Sequence, residues 1–266
     1  MATEKALALV IRQVDFSETS RVVTFFTREF GKVGALAKGG RRLKGPFAGA
    51  LDLLSVCRIV LIRKSSDSLD LLTEAELVKG FKPDAVRPGH APARSAGAPP
   101  RNSLQVLYAG YYVAELLLEL TEDDDPHPLL FDAAVDCLGD LESSDDIALV
   151  LRRFELLLLR DTGHMPNFEA CAACGAAVGD ESALWFSAAS GGLVCRACAP
   201  AARGTVRLTA GAVKAIELLA EPGGVQWKRL RLAAGMQCEL AAVTRGAILR
   251  LVGRELRTAQ FLRDSP

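Results

Sequence analysis

The sequence predicts an α+β protein: a small five-stranded closed barrel at the N-terminus, then an all-helical domain that carries a four-cysteine zinc module. Three observations lead there. The first 81 residues are rich in β-branched and aromatic residues with glycine punctuation. From Leu104 onward the apolar residues recur at three- and four-residue steps. Four cysteines pair as two C-x2-C motifs with twenty residues between them.

Five stretches have strand length and character: ALALVIRQV, SRVVTFFTR, KVGALAKGG, LSVCRIVLIRK and LDLLTEAELV. Their connections are short except for RRLKGPFAGALD. Five short strands in about 80 residues suit a closed barrel, which removes the exposed edges an open sheet would leave. Phe25 and Phe26 lie mid-strand, so at least one of them points inward.

Residues 82–103, KPDAVRPGHAPARSAGAPPRNS, hold five of the twelve prolines and almost nothing large and apolar. Such a segment cannot bury enough surface to offset its ordering entropy, and it is predicted to be a flexible linker. The domains expected are therefore 1–81 and 104–266, the second carrying the cysteine module at about 167–200.

Helices follow. LQVLYAGYYVAELLLELTE places Leu104, Leu107, Tyr108, Tyr111, Tyr112, Glu115 and Leu118 on one stripe, read as core packing. PLLFDAAVDCLGDL opens on a proline and is expected to fade at Gly139. SSDDIALVLRRFELLLLRDTG has serine and aspartate before its apolar run and glycine after it. LTAGAVKAIELLAE, with threonine as cap, and a helix from about Gln237 to Val252 complete a bundle.

Cys171, Cys174, Cys195 and Cys198 have the spacing of a four-thiolate zinc site. A tight turn after the first cysteine of each pair lets two sulfurs converge on one tetrahedral ion. Gly175, Gly191 and Gly192 suit the turns. Thioredoxin-like redox motifs come singly, and paired disulfides need an oxidising compartment that nothing here indicates. Four thiolates leave no open coordination position, so Zn2+ is expected to be structural. Cys57, Cys137 and Cys238 read as core residues. The three histidines are scattered, and no Ser-His-Asp order, carboxylate pair or H-E-x-x-H is present, so an enzyme is not expected.

The chain has 32 Lys and Arg against 32 Asp and Glu, yet the charges are segregated. From Arg28 to Lys64 nine basic residues face two acids; from Glu115 to Glu155 thirteen acids face two arginines. GKVGALAKGGRRLKGPF gathers five cations, five glycines and no acid. It lacks G-x-x-x-x-G-K-[ST] and G-x-G-x-x-G, which argues against a nucleotide cradle. A solvated loop and a nucleic-acid contact remain. Small barrels bind strands across one face with cations on phosphates, which favours the second. Lys32, Lys38, Arg41, Arg42 and Lys44, helped by Arg12 and Arg21, are the candidate phosphate ligands; backbone contact should outweigh base reading. No run reaches the roughly 18 apolar residues that span a bilayer, and no signal peptide is seen, so a cytoplasmic protein without membrane contact is expected.

ALVIRQVDFSETSRVVTFFTREFGKVGALAKGGRR, LDLLTEAELVKGF, and LLLLRDTGHMPNFEACAACG running into CRAC together resemble the bacterial recombination mediator RecO family along nearly the whole chain. The linker is longer than that family leads one to expect. The resemblance implies an N-terminal OB-fold, a helical domain with an embedded zinc module, and binding to single- and double-stranded DNA. It further implies annealing of complementary strands, and work with RecR to load RecA onto strands coated by single-stranded DNA-binding protein (SSB). The competing expectation is a zinc-stabilised protein-interaction scaffold whose DNA contact is incidental. A duplex-reading ribbon is disfavoured because no basic residue lies between Cys174 and Cys195.

Overall fold

A computed structural model of the chain describes residues 3–42, 45, 47, 49–64, 69–83, 103–178 and 184–263. The predicted linker, apart from its first two residues and Ser103, lies outside the described residues, as does Lys44. The chain divides into two compact units, residues 1–147 with 256–266, and residues 148–255.

In the first unit, β1 (Thr3–Asp15), β2 (Arg21–Thr27), β3 (Gly31–Ala37), β4 (Val56–Ile62) and β5 (Asp70–Lys79) close a barrel in the order β1-β2-β3-β5-β4. Only β3 and β5 pair in parallel, and β4 returns to β1. This is the OB-type arrangement. The strands form because alternate residues can be buried: β3 alternates strictly, with Gly31, Val33, Ala35 and Ala37 inside and Lys32, Gly34 and Leu36 outward. The barrel core joins Val10, Val23, Phe25, Val33, Ile59 and Leu61. Fully burying each such side chain contributes about 1.5–3 kcal/mol. A bulge between Val10 and Arg12 shifts the register of β1 against β2.

Phe25 points into the barrel, but Phe26 is equally buried although it faces outward. Its ring lies 6.3 Å from Phe131 of α2 (Pro128–Ser143), which covers that part of the barrel wall. Helix α1 (Ser103–Leu120) also packs on β1 and α2. Gly110 makes the approach possible, since a Cβ there would lie 2.6 Å from the Leu54 side chain. The tyrosine stripe is packing, as expected: Tyr112 is buried and Tyr108 stacks on Phe261 at 4.6 Å. Helix α2 does not end at Gly139; buried Leu138 and Leu141 hold its last turn to Ser143.

The second unit contains α3 (Ile147–Asp161), a small sheet, α4 (Ala210–Leu219), a 3₁₀ turn (Gln226–Arg229) and α5 (Ala234–Val252). The Thr209 hydroxyl accepts from the Ala212 N–H and caps α4. Arg153 of α3 lies over the Trp227 ring and donates to the carbonyls of Leu219 and Gly224, satisfying the end of α4. The fully buried Glu155 carboxylate meets the Arg152 guanidinium at 2.7 Å, and Arg152 also donates to Thr244 of α5. The sheet was not anticipated. Its strands β6 (Leu184–Ser187), β7 (Gly192–Val194) and β8 (Thr205–Leu208), in the order β7-β6-β8, are too short for alternation to show in sequence. Among the described residues no helix is long and apolar enough to cross a membrane.

Candidate metal centre and nucleic-acid interface

Strand β7 carries the chain directly into the second cysteine pair, and residues 167–178 bring the first pair beside it. Asn167 makes the join: its carbonyl accepts from the Leu193 N–H at 2.8 Å and its N–H donates to the Gly191 carbonyl at 3.0 Å. A Cβ on Gly192 would sit 2.4 Å from the Asn167 carbonyl oxygen, so glycine is required there by proximity. Gly175 adopts φ +74° and donates to the Cys171 carbonyl at 2.8 Å, closing the first turn. The Cys198 N–H donates to the Cys195 carbonyl at 3.0 Å and closes the second.

The four sulfurs lie within 4.8 Å of one another. Cys174 Sγ and Cys195 Sγ are 3.8 Å apart. A tetrahedron of zinc–sulfur bonds near 2.3 Å has edges of about 3.8 Å. The donor set therefore fits a divalent ion of that size and softness. The Cys195 backbone N–H, 3.3 Å from Cys171 Sγ, lowers the Cys171 thiol to about 6 despite the opposing effect of burial. Hydrogen bonding to Cys195 and Cys174, reinforced by burial, pushes Cys198 up to about 12. Thiols this close must share protons unless a cation replaces them. Elsewhere Cys57 and Cys137 are buried, but Cys238 is exposed on α5, contrary to its reading as a core residue.

The candidate phosphate ligands separate into two groups. Lys32, the second residue of β3, points toward the end of α1. Its ammonium donates to the carbonyls of Leu118 at 3.1 Å and Thr121 at 2.6 Å, and lies 3.5 Å from Asp123. With 14% of its side chain exposed, it serves as a helix cap and is not on the basic turn's surface. Lys38 lies six residues further along β3's direction, about 20 Å away at strand spacing.

At that far end Lys38, Arg41 and Arg42 are exposed and Arg21 is half-buried; Arg12 is exposed too, but on the wall, opposite Thr24 in the middle of β2. Arg21 pairs with Asp15 at 3.0 Å and donates to Gln13 at 2.8 Å. Arg41 donates to the Ser17 carbonyl at 2.9 Å and lies 3.5 Å from Asp15. Two arginines thus brace the β1–β2 turn. Arg12, Lys38 and Arg42 have no side-chain partner among the described residues and stand open to solvent.

The acidic run behaves differently. Its segment docks at the near end of the barrel: the Asp124 N–H donates to the Lys32 carbonyl at 3.0 Å, and Arg63 contacts Asp124, Asp70 and Glu4. Arg28 makes a two-pronged contact with Asp132 at 2.9 and 3.0 Å. Toward the C-terminus, Arg245 pairs with Glu255, Arg250 lies against Gly191, and the Arg257 N–H donates to Glu115.

Residues 1–81 match the family model described as "Recombination protein O N terminal", and residues 101–260 the one described as "Recombination protein O C terminal". A DNA repair protein RecO of Rhodopirellula baltica is 44% identical over 81% of this chain and 75% of its own length. One from Anaeromyxobacter dehalogenans (strain 2CP-C) is 36% identical over 97% and 95%, and one from Myxococcus xanthus 30% identical over 96% and 95%.

Proposed function

Since the chain belongs to the recombination protein O family of DNA repair proteins, we propose that it binds single- and double-stranded DNA through the far end of its barrel and anneals complementary strands. With RecR, it helps load RecA onto strands coated by SSB. Residues 1–81 act as the DNA-binding module and 82–103 as a tether; residues 104–266 carry the zinc module, with Zn2+ held by Cys171, Cys174, Cys195 and Cys198. It works in the cytoplasm, on the nucleoid.

One observation carries the reading: Lys38 and Arg42 stand exposed at the barrel end whose turn Arg21 and Arg41 brace, and Arg12 stands exposed on the wall next to it. Phosphates approaching that end meet cations without paying to break ion pairs first. Annealing needs no covalent chemistry. Neutralising two repelling backbones lowers the barrier to encounter, and base pairing supplies the drive. The chain's own part is to hold strands by their phosphates while leaving the letters free.

The scaffold alternative assigns the acidic helices to protein partners. Against it, Glu115, Asp124, Asp132 and Glu142 each already hold backbone or cationic groups of this chain. The test is annealing of labelled complementary oligonucleotides by the purified protein, with and without RecR. Acceleration over the spontaneous rate supports the proposal. No acceleration, with negligible DNA binding at low salt, favours the scaffold.

A further inference from the structure

The outer wall of the barrel beside the basic turn carries a row of aliphatic side chains. Val14 of β1 pairs with Val22 of β2, Val22 with Leu36 of β3, and Leu36 with Leu71 of β5. None of the four is fully buried, and Val14 is 45% exposed. Side chains two residues apart share a strand face. Arg12 therefore flanks this row on one side, and Lys38 and Phe16 on the other.

Phe16 is 65% exposed, the most open aromatic ring among the described residues. It projects from the β1–β2 turn, yet the turn beneath it is tightly held. The Phe16 N–H donates to the Ser20 carbonyl at 3.1 Å, and the Ser20 N–H to the Ser17 hydroxyl at 3.1 Å. The Arg41 N–H donates to the Thr19 carbonyl at 3.1 Å and its guanidinium to the Ser17 carbonyl at 2.9 Å. An apolar ring on a braced turn exposes surface to water at a cost, and no ring or cation–π contact among the described residues offsets it. It is ordered in advance for a flat, apolar partner, and its neighbours are cations.

We infer that Phe16, backed by the Val14–Val22–Leu36–Leu71 row, is a stacking platform for unpaired bases, and that it gives this protein a preference for single-stranded over duplex DNA. The inference rests on the proposed DNA contact at this end of the barrel and goes beyond it. Cations alone hold both forms, because both present phosphates. Only an unpaired strand can turn a base face onto a ring, whereas a duplex keeps its bases stacked inside. Arg41 acts here as a positioning residue, and Arg12, Lys38 and Arg42 supply the phosphate contacts on either side.

The test uses the full chain, a single-stranded oligo(dT) carrying one 2-aminopurine, and a duplex of equal length. Phe16→Ala should weaken single-strand binding roughly 5- to 150-fold, the loss of one stacked base, and leave duplex binding within about twofold. Quenching of 2-aminopurine by the wild-type chain should vanish in Phe16→Ala, survive in Phe16→Trp and be lost in Phe16→Leu. Phe16 is exposed, so these variants are expected to fold, and circular dichroism checks it. Equal single-strand affinity for Phe16→Ala and wild type, or retention of quenching in Phe16→Leu, overturns the inference while leaving the DNA reading intact. A wild-type chain that binds neither form sinks both.

Discussion

The Lys32 ammonium sits 2.6 Å from the Thr121 carbonyl oxygen, so a lysine of strand β3 completes the end of helix α1. A helix leaves its last carbonyls without partners, and a cation there also opposes the dipole's negative end. Lys32 therefore joins β3 to the chain that follows α1.

Lys32→Met should destabilise the N-terminal unit by roughly 1–3 kcal/mol, the cost of leaving part-buried carbonyls unsatisfied. Urea unfolding followed by circular dichroism measures this. DNA affinity should stay within about twofold of wild type. A large loss of affinity in a folded Lys32→Met protein would return this residue to the phosphate-binding set.

The open cations should show the opposite behaviour. Changing Arg12, Lys38 and Arg42 together to alanine should leave the unfolding midpoint nearly unchanged, because all three are exposed and none makes a side-chain hydrogen bond or ion pair among the described residues. Single-strand affinity should drop, and the slope of log affinity against log salt should become shallower by about 2, at roughly 0.7 per phosphate lost. A titration from low to moderate salt reads both effects.

Gly31 and Gly49 share positive φ, at +69° and +74°, but not surroundings. A Cβ on Gly31 would lie 2.0 Å from the Asp125 carbonyl oxygen, whereas nothing lies within 4 Å of one on Gly49. Gly49→Ala should cost only the left-handed backbone strain, about 1–2 kcal/mol. Gly31→Ala should cost distinctly more and loosen the acidic segment. Hydrogen exchange at residues 121–127 reports the loosening, and equal costs for the two variants would refute the steric account.

Purified protein should carry one zinc per chain, measured by elemental analysis. Chelation should loosen residues 167–200 and leave the barrel's amide protection intact, since metal binding at such sites is worth about 10–16 kcal/mol to the fold around it. Thiol chemistry gives a second readout. Burial pushes Cys57 up to about 12, so its thiolate is scarce until pH approaches that value. Near pH 8 an alkylating reagent should modify exposed Cys238 promptly, and the four cluster cysteines should join it only after chelation. Fast alkylation of the cluster in untreated protein would contradict metal occupancy.

The barrel strands were legible because each runs for seven or more residues between turn-forming segments, and β3 also alternates strictly from Gly31 to Ala37. The four-cysteine cluster was legible because its members declare themselves by spacing, and the sulfur separations are compatible with a metal ion. What sequence could not supply was pairing between distant elements. Lys32 and Lys38 look equivalent along the chain, and only the arrival of Thr121 at one of them distinguishes cap from open cation. Phe26 looked surplus to the barrel core for the same reason: its cover, Phe131, lies more than a hundred residues away. The sheet of β6, β7 and β8 escaped because strands of three or four residues carry no readable period. Phe16 is one of the few aromatics on the barrel side, and a phenylalanine between Asp15 and Ser17 in a polar turn is unlike core sequence.

Docking of the acidic segment against Lys32 and Arg63 gives the N-terminal unit an electrical polarity that the neutral total of the whole chain hides. Carboxylates collect where β3 begins, and uncompensated positive charge is left where it ends. In the field of a polyanion such a body feels a torque before it feels a contact. It would swing its positive end toward the strand while still a Debye length away, so that encounters begin in the productive orientation and lose that advantage as salt rises.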